Sequence, residues 1–70
     1  MFYITAVFTD GTGAEKYTEY REVLFATNEI AEEWLNGSYG EQLSQASDID
    51  TQIDPELKDF WFDDLVVEEE

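Results

Sequence analysis

Of the side chains that carry chemistry at neutral pH, this sequence offers carboxylates and little else: 18 Asp and Glu, three Lys and Arg together, no His and no Cys. Without imidazole or thiol, proton transfer or nucleophilic attack would fall to a tuned carboxylate pair. Paired carboxylates hydrolyse glycosides, but among so many acids adjacency singles out no pair, and 70 residues leave little room for a sugar cleft. No enzymatic role is expected. Gly11-Thr12-Gly13 is spaced like part of a phosphate cradle, yet no P-loop lysine or helix N-terminus follows and the surrounding charge repels anions, so it reads as a turn. Asp48, Asp50, Gln52 and Asp54 set oxygens at alternate positions, as an EF-hand loop does, with Asp59 at the twelfth. Ile53 stands where the sharp turn needs Gly, and Pro55 intrudes. No metal or cofactor is expected.

Collectively, the acids carry more meaning. Glu29, Glu32 and Glu33 fall at helical spacing, with neighbouring carboxylates about 6 Å apart on one face. Asp48, Asp50, Asp54, Glu56 and Asp59 form a second cluster. Asp63, Asp64 and Glu68 to Glu70 form a third, and the three together could make a quasi-linear track. The net charge is −15 and the isoelectric point about 4.1, so the surface repels nucleic acid and anionic membranes. A globule of this length has a radius of gyration of about 11 Å and a diameter of about 28 Å. Duplex DNA of that length carries about 16 phosphates. Arg and Lys that grip phosphates also pair with carboxylates, Arg bidentately, so such a surface could occupy a nucleic-acid channel. The acids also repel one another and destabilise the compact state, which a function that exploits them would explain.

The positioning elements follow from periodicity. Phe2, Ile4, Ala6 and Phe8 alternate with Tyr3, Thr5, Val7 and Thr9, which predicts a half-buried strand, and Asp10 to Gly13 predicts a hairpin turn. A second strand spans roughly Lys16 to Phe25, its first half exposed or at an edge. Thr27 is an N-cap and Gly37 a C′ residue for a short helix, whose stripe of Ile30, Ala31, Trp34 and Leu35 covers the hairpin while Glu29, Glu32 and Glu33 face out. Ser38 to Glu41 has the form of a capping box, with Leu43 and Ala46 lining a second helix of about two turns. Residues 47–54 read as a loop, and Asp54-Pro55-Glu56 starts one helical turn. Phe60-Trp61-Phe62 and Leu65-Val66-Val67 favour a third strand, although a helical stripe also fits them. The sum is an α+β domain in ββααβ order: a three-stranded antiparallel sheet with one or two short helices on one face.

Hydrophobic residues at 43% and aromatics at 16% predict a folded core, while a chain this short buries only about 60% of its unfolded surface. No cysteine is present to brace it. Neither a leader with a basic start and an apolar centre nor a membrane-length apolar run is visible, so a cytoplasmic location is expected. Trp34 reads as core. Trp61, among Asp59, Asp63 and Asp64, reads as the exposed aromatic, and exposed members of Tyr3, Tyr17, Tyr20 and Tyr39 would be interface anchors.

In size, in its −15 charge, in lacking Cys and His, and in its acidic clusters, the chain resembles the small phage-encoded inhibitors of the anti-CRISPR and anti-restriction type, several of which look like DNA in charge. That resemblance is one of type and carries over no motif residue. It implies a non-enzymatic protein that blocks the basic, nucleic-acid-binding surface of a host defence or DNA-processing complex without binding nucleic acid itself. On this reading the partner-facing residues are the helical and loop acids together with Trp61, Asp63 and Asp64. The alternative is an adaptor that pairs through its hairpin edge and exposed aromatics, with acids serving solubility. A halophilic or metal-buffering protein would instead fold better with salt or divalent ions. At this charge a monomer is favoured, and a dimer needs its contact kept clear of acids.

Overall fold

Strand β1 (Phe2–Thr9) sits at the centre of the sheet in the computed structural model, which describes residues 1–70. Strands β2 (Glu15–Phe25) and β3 (Trp61–Glu69) flank it, both antiparallel, in the order β2-β1-β3. Helices α1 (Asn28–Leu35) and α2 (Ser38–Ile53) and a 3₁₀ turn at Pro55–Leu57 lie between β2 and β3 in sequence, giving an α+β chain in ββααβ order. On the helix side Phe8 and Ala6 are fully buried, and Ile4, Phe25, Ala31, Leu57 and Leu65 complete the core, with Phe62 meeting Phe8 edge to face at 6.0 Å. Burial of each large apolar side chain contributes about 1.5–3 kcal/mol.

β1 departs from the half-buried strand its alternation predicts. Tyr3, Thr5 and Val7, on the other face, are buried as well. Position explains this: a central strand has long side chains on both neighbours to cover it. Asp10 closes the hairpin by accepting the amide and hydroxyl hydrogens of Thr12 at 2.9 and 2.7 Å, and Gly11 and Gly13 take the left-handed φ values of 83° and 99° that the turn needs.

The β1–β2 register breaks near the start of β1. Phe2 pairs with Phe25 and Ile4 with Tyr20, so four residues of β2, Arg21 to Leu24, face Tyr3 alone. The bow leaves Val23 and Leu24 exposed, where an unbroken strand would tuck one of them inside, and opens an apolar cleft of about 170 Å³ against Trp34 and Leu43.

Helix α1 starts as its sequence predicts, with Thr27 Oγ1 accepting the Ile30 amide at 3.2 Å. Its stripe is narrower than expected: Ala31 is buried and Trp34 and Leu35 are half-buried, but Ile30 is exposed. Gly37 follows α1 without turning left-handed; its φ is −95°, and it serves as the N-cap of α2. Ser38 is therefore already helical and forms no capping box. α2 is twice the expected length and absorbs the loop expected over residues 47–54 as far as Ile53. Its inward face is Gly40, Leu43, Ser44 and Ser47, a helical period written mostly in small polar residues, which hydrophobic patterning cannot detect. Gly40 lies so close to α1 that a Cβ there would stand 1.9 Å from the Leu35 carbonyl oxygen. Ser47 is fully buried and shares a 3.2 Å hydrogen bond with the Tyr20 hydroxyl, which ties α2 to β2. No helix is long and apolar enough to cross a membrane.

Candidate functional site

None of the 18 acidic side chains is buried, and only Asp10 and Asp50 are half-buried. Arg21 forms the only ion pairs, with Glu19 and Glu70 at 3.1 Å each. Lys16 is diverted: its ammonium donates to the Glu56 carbonyl and lies 4.7 Å from the centre of the Phe60 ring. The negative charge is thus almost wholly uncompensated within the molecule.

The fold divides the acids between two sides. Glu29, Glu32 and Glu33 project from α1, and their carboxylates make no hydrogen bond. Asp48 and Asp50 belong to α2, not to a loop. Two residues apart on a helix is about 200° of rotation, so they cannot converge as alternate EF-hand ligands would. Asp54 ends α2 and caps the following 3₁₀ turn, its Oδ1 accepting the Glu56 amide at 2.9 Å. Glu56 is exposed in that turn. Asp59 holds a left-handed φ of 69° in the connection to β3, a conformation Asp tolerates better than most residues. No group of acids is arranged to hold a metal ion.

Register places the third cluster on the opposite side. Phe62 and Leu65 pair with Phe8 and Ala6 on the helix face. Trp61, Asp64, Val66 and Glu68 pair with Thr9, Val7, Thr5 and Tyr3, and so share the uncovered face. Asp63 is the extra residue of a β-bulge between them. Asp64 Oδ1 accepts the Leu65 amide at 2.8 Å. Trp61 is exposed, as expected, and leans over the hairpin turn, where a Cβ on Gly11 would come within 2.8 Å of its ring.

The predicted residues therefore form no single track. The uncovered face also recruits residues that reading the chain in clusters passes over: Glu15, Tyr17 and Glu19, paired with Thr9, Val7 and Thr5. Their signal is the alternation of β2, in which odd positions carry Glu15, Tyr17, Glu19 and Arg21. Arg21 stacks on the Tyr3 ring at 4.0 Å, and the Tyr3 hydroxyl donates to Glu19 at 3.4 Å. Of the tyrosines, Tyr17 and Tyr39 are the exposed ones, and Tyr39 stacks on Trp34 at 6.0 Å.

Three groups have displaced protonation equilibria. Hydrogen bonds from the side chain and backbone of Thr12 hold Asp10 below its ordinary 3.8. The Tyr17 phenol is raised above 10.0 by its hydrogen bond to Glu15, then by the Glu15 charge, and least by Glu68. The Arg21 guanidinium is raised by its bond to Glu19. All three move away from neutrality, so none is poised to exchange a proton at pH 7. Compared with protein families, curated proteins and solved structures, the chain shows no match in any of the three.

Proposed function

We propose that the chain is a non-enzymatic binding protein whose acidic surface occupies a basic, nucleic-acid-binding surface on another macromolecule, in the manner of an anti-CRISPR or anti-restriction DNA mimic. The observation that carries this reading is the uncompensated charge: 18 carboxylates, none buried, with ion pairs at Arg21 alone. The long axis is 34 Å, and duplex DNA of that length carries about 20 phosphates. The charge is thus somewhat sparser than that of DNA and of the same order. Arg and Lys that donate to phosphates donate to carboxylates as well, Arg bidentately, so occupancy requires no chemistry.

A second reading has its own observation. Exposed Val23 lines the cleft between β2 and the helices, and exposed Ile30 and Tyr39 line a second opening that shares Phe25 and Trp34 with it, an apolar area through which an adaptor could hold a partner. Salt separates the two. Tagged protein used to capture partners from bacterial lysate should retain a nucleic-acid-binding complex that moderate salt elutes and duplex DNA displaces. Partners that ignore DNA and survive high salt would overturn the mimic reading in favour of the adaptor.

A further inference from the structure

The sheet face turned away from the helices has no layer over it, yet its central side chains are buried: Tyr3, Thr5 and Val7 keep 7%, 3% and 8% of their exposure. A sheet ordinarily buries such residues against a second layer. Here the cover comes only from the flanking strands. β2 supplies Glu15, Tyr17 and Glu19, and β3 supplies Asp64, Val66 and Glu68. Each acidic pair is four residues apart, about 14 Å along its strand, and the two columns stand about 10 Å apart across β1. Arg21, held by Glu19 and Glu70, is the one basic side chain on this face. At its centre, between Glu19 and Val66, Thr5 Oγ1 is buried without a hydrogen-bond partner. Buried hydroxyls are ordinarily paired, and this one lies on the uncovered face with no partner from its own chain.

We propose that this face docks a basic α-helix of a partner protein, which supplies the missing layer. The proposal rests on the reading that the acidic surface binds a basic one, and adds the place and the shape of the occupant. A helix with its side chains is about 10–12 Å across, close to the gap between the carboxylate columns. Its underside rests on the flanking side chains that cover Val7 and Thr5, and on half-buried Val66. Arg or Lys at i, i+4 and i+7 spans about 10 Å of axis and reaches the acids on both edges. A side-chain donor on the helix reaches Thr5 Oγ1 by parting the flanking side chains that cover it. Tyr17 and Trp61, both exposed on this face, are the aromatic anchors. The acids of α1 and α2 have no such buried floor between them.

The test uses an amidated Ala-based peptide of about 16 residues with Arg at i, i+4 and i+7, and a counterpart of equal charge with two central Ala replaced by Pro. Each is titrated into the whole chain at low salt, with circular dichroism verifying that every variant is folded. The helical peptide should bind at least about tenfold tighter than its Pro counterpart. The variant E19Q/D64N/E68Q should weaken it at least about tenfold, and E29Q/E32Q/E33Q, which removes the same charge from α1, less than about threefold. T5V should raise the melting temperature of the free protein while weakening the peptide several-fold. Equal weakening by the two triple variants, or equal binding of the two peptides, overturns the proposal. Loss of binding in E29Q/E32Q/E33Q alone would discard this face and leave the acidic-surface reading standing. No binding of either peptide, or no effect of either triple variant, discards both.

Discussion

Tyr17 shows most directly how a single side chain senses the acidic surface around it. Its hydroxyl donates to Glu15 at 3.0 Å, and ionising the phenol would lose that bond and place a negative charge beside the carboxylate. The folded-state equilibrium is therefore raised above 10.0, and the stability it contributes is present below that pH and lost as pH rises through the folded midpoint. Subtracting the tyrosinate absorbance titration of Y17F from that of the wild type isolates Tyr17. Its midpoint should lie above 10.0 and fall back towards it in E15Q, retaining only the smaller influences of desolvation and Glu68. Asp10 has the opposite sign. Its contribution to the turn is present above 3.8 and disappears as pH drops through its depressed folded value.

At the level of elements, the junction of α1 and α2 is set by one missing side chain. Alanine is ordinarily better than glycine inside a helix by about 1 kcal/mol. At Gly40 the sign should reverse, because the new Cβ would meet Leu35 backbone atoms at 1.9 to 2.8 Å, and G40A is expected to lose about 1–3 kcal/mol in chemical denaturation. β1, the hairpin turn, the Thr27 cap and the Asp54-Pro55 start were legible because each is written in residues whose local chemistry permits few alternatives. The second half of α2 was not, since the residues it turns inward are Ser47, Asp50 and Thr51, which hydrophobicity does not mark. The acidic clusters were equally plain as runs, but which of them share a face depends on strand register. A bulge at Asp63 and a bow at Arg21 to Leu24 reset that register without a sequence signal. The exposure of Trp61 was legible because strand alternation turns it away from Phe60 and Phe62 and acids surround the three, whereas Glu15, Tyr17 and Glu19 lay in a stretch that looked like ordinary edge strand.

For the molecule as a whole, the balance between attraction and repulsion is one-sided. Salt screens both, but Arg21 is the only cation with ion pairs to lose, while every other carboxylate stands among like charges. The melting temperature should therefore climb as sodium chloride is raised at pH 7. A flat or falling curve would mean that repulsion is not what limits stability. The pairing of β1 with its two neighbours also has a kinetic side. β1 leaves the ribosome before both of its neighbours, and β3, which completes its second edge by pairing Phe2 with Glu69, follows only after both helices. Throughout synthesis the most apolar strand of the protein carries an open edge, a template on which nascent copies could pair and aggregate. The carboxylates already made on β2 and the helices repel a second copy of the same chain, so the charge that holds the finished surface open also guards the half-made one.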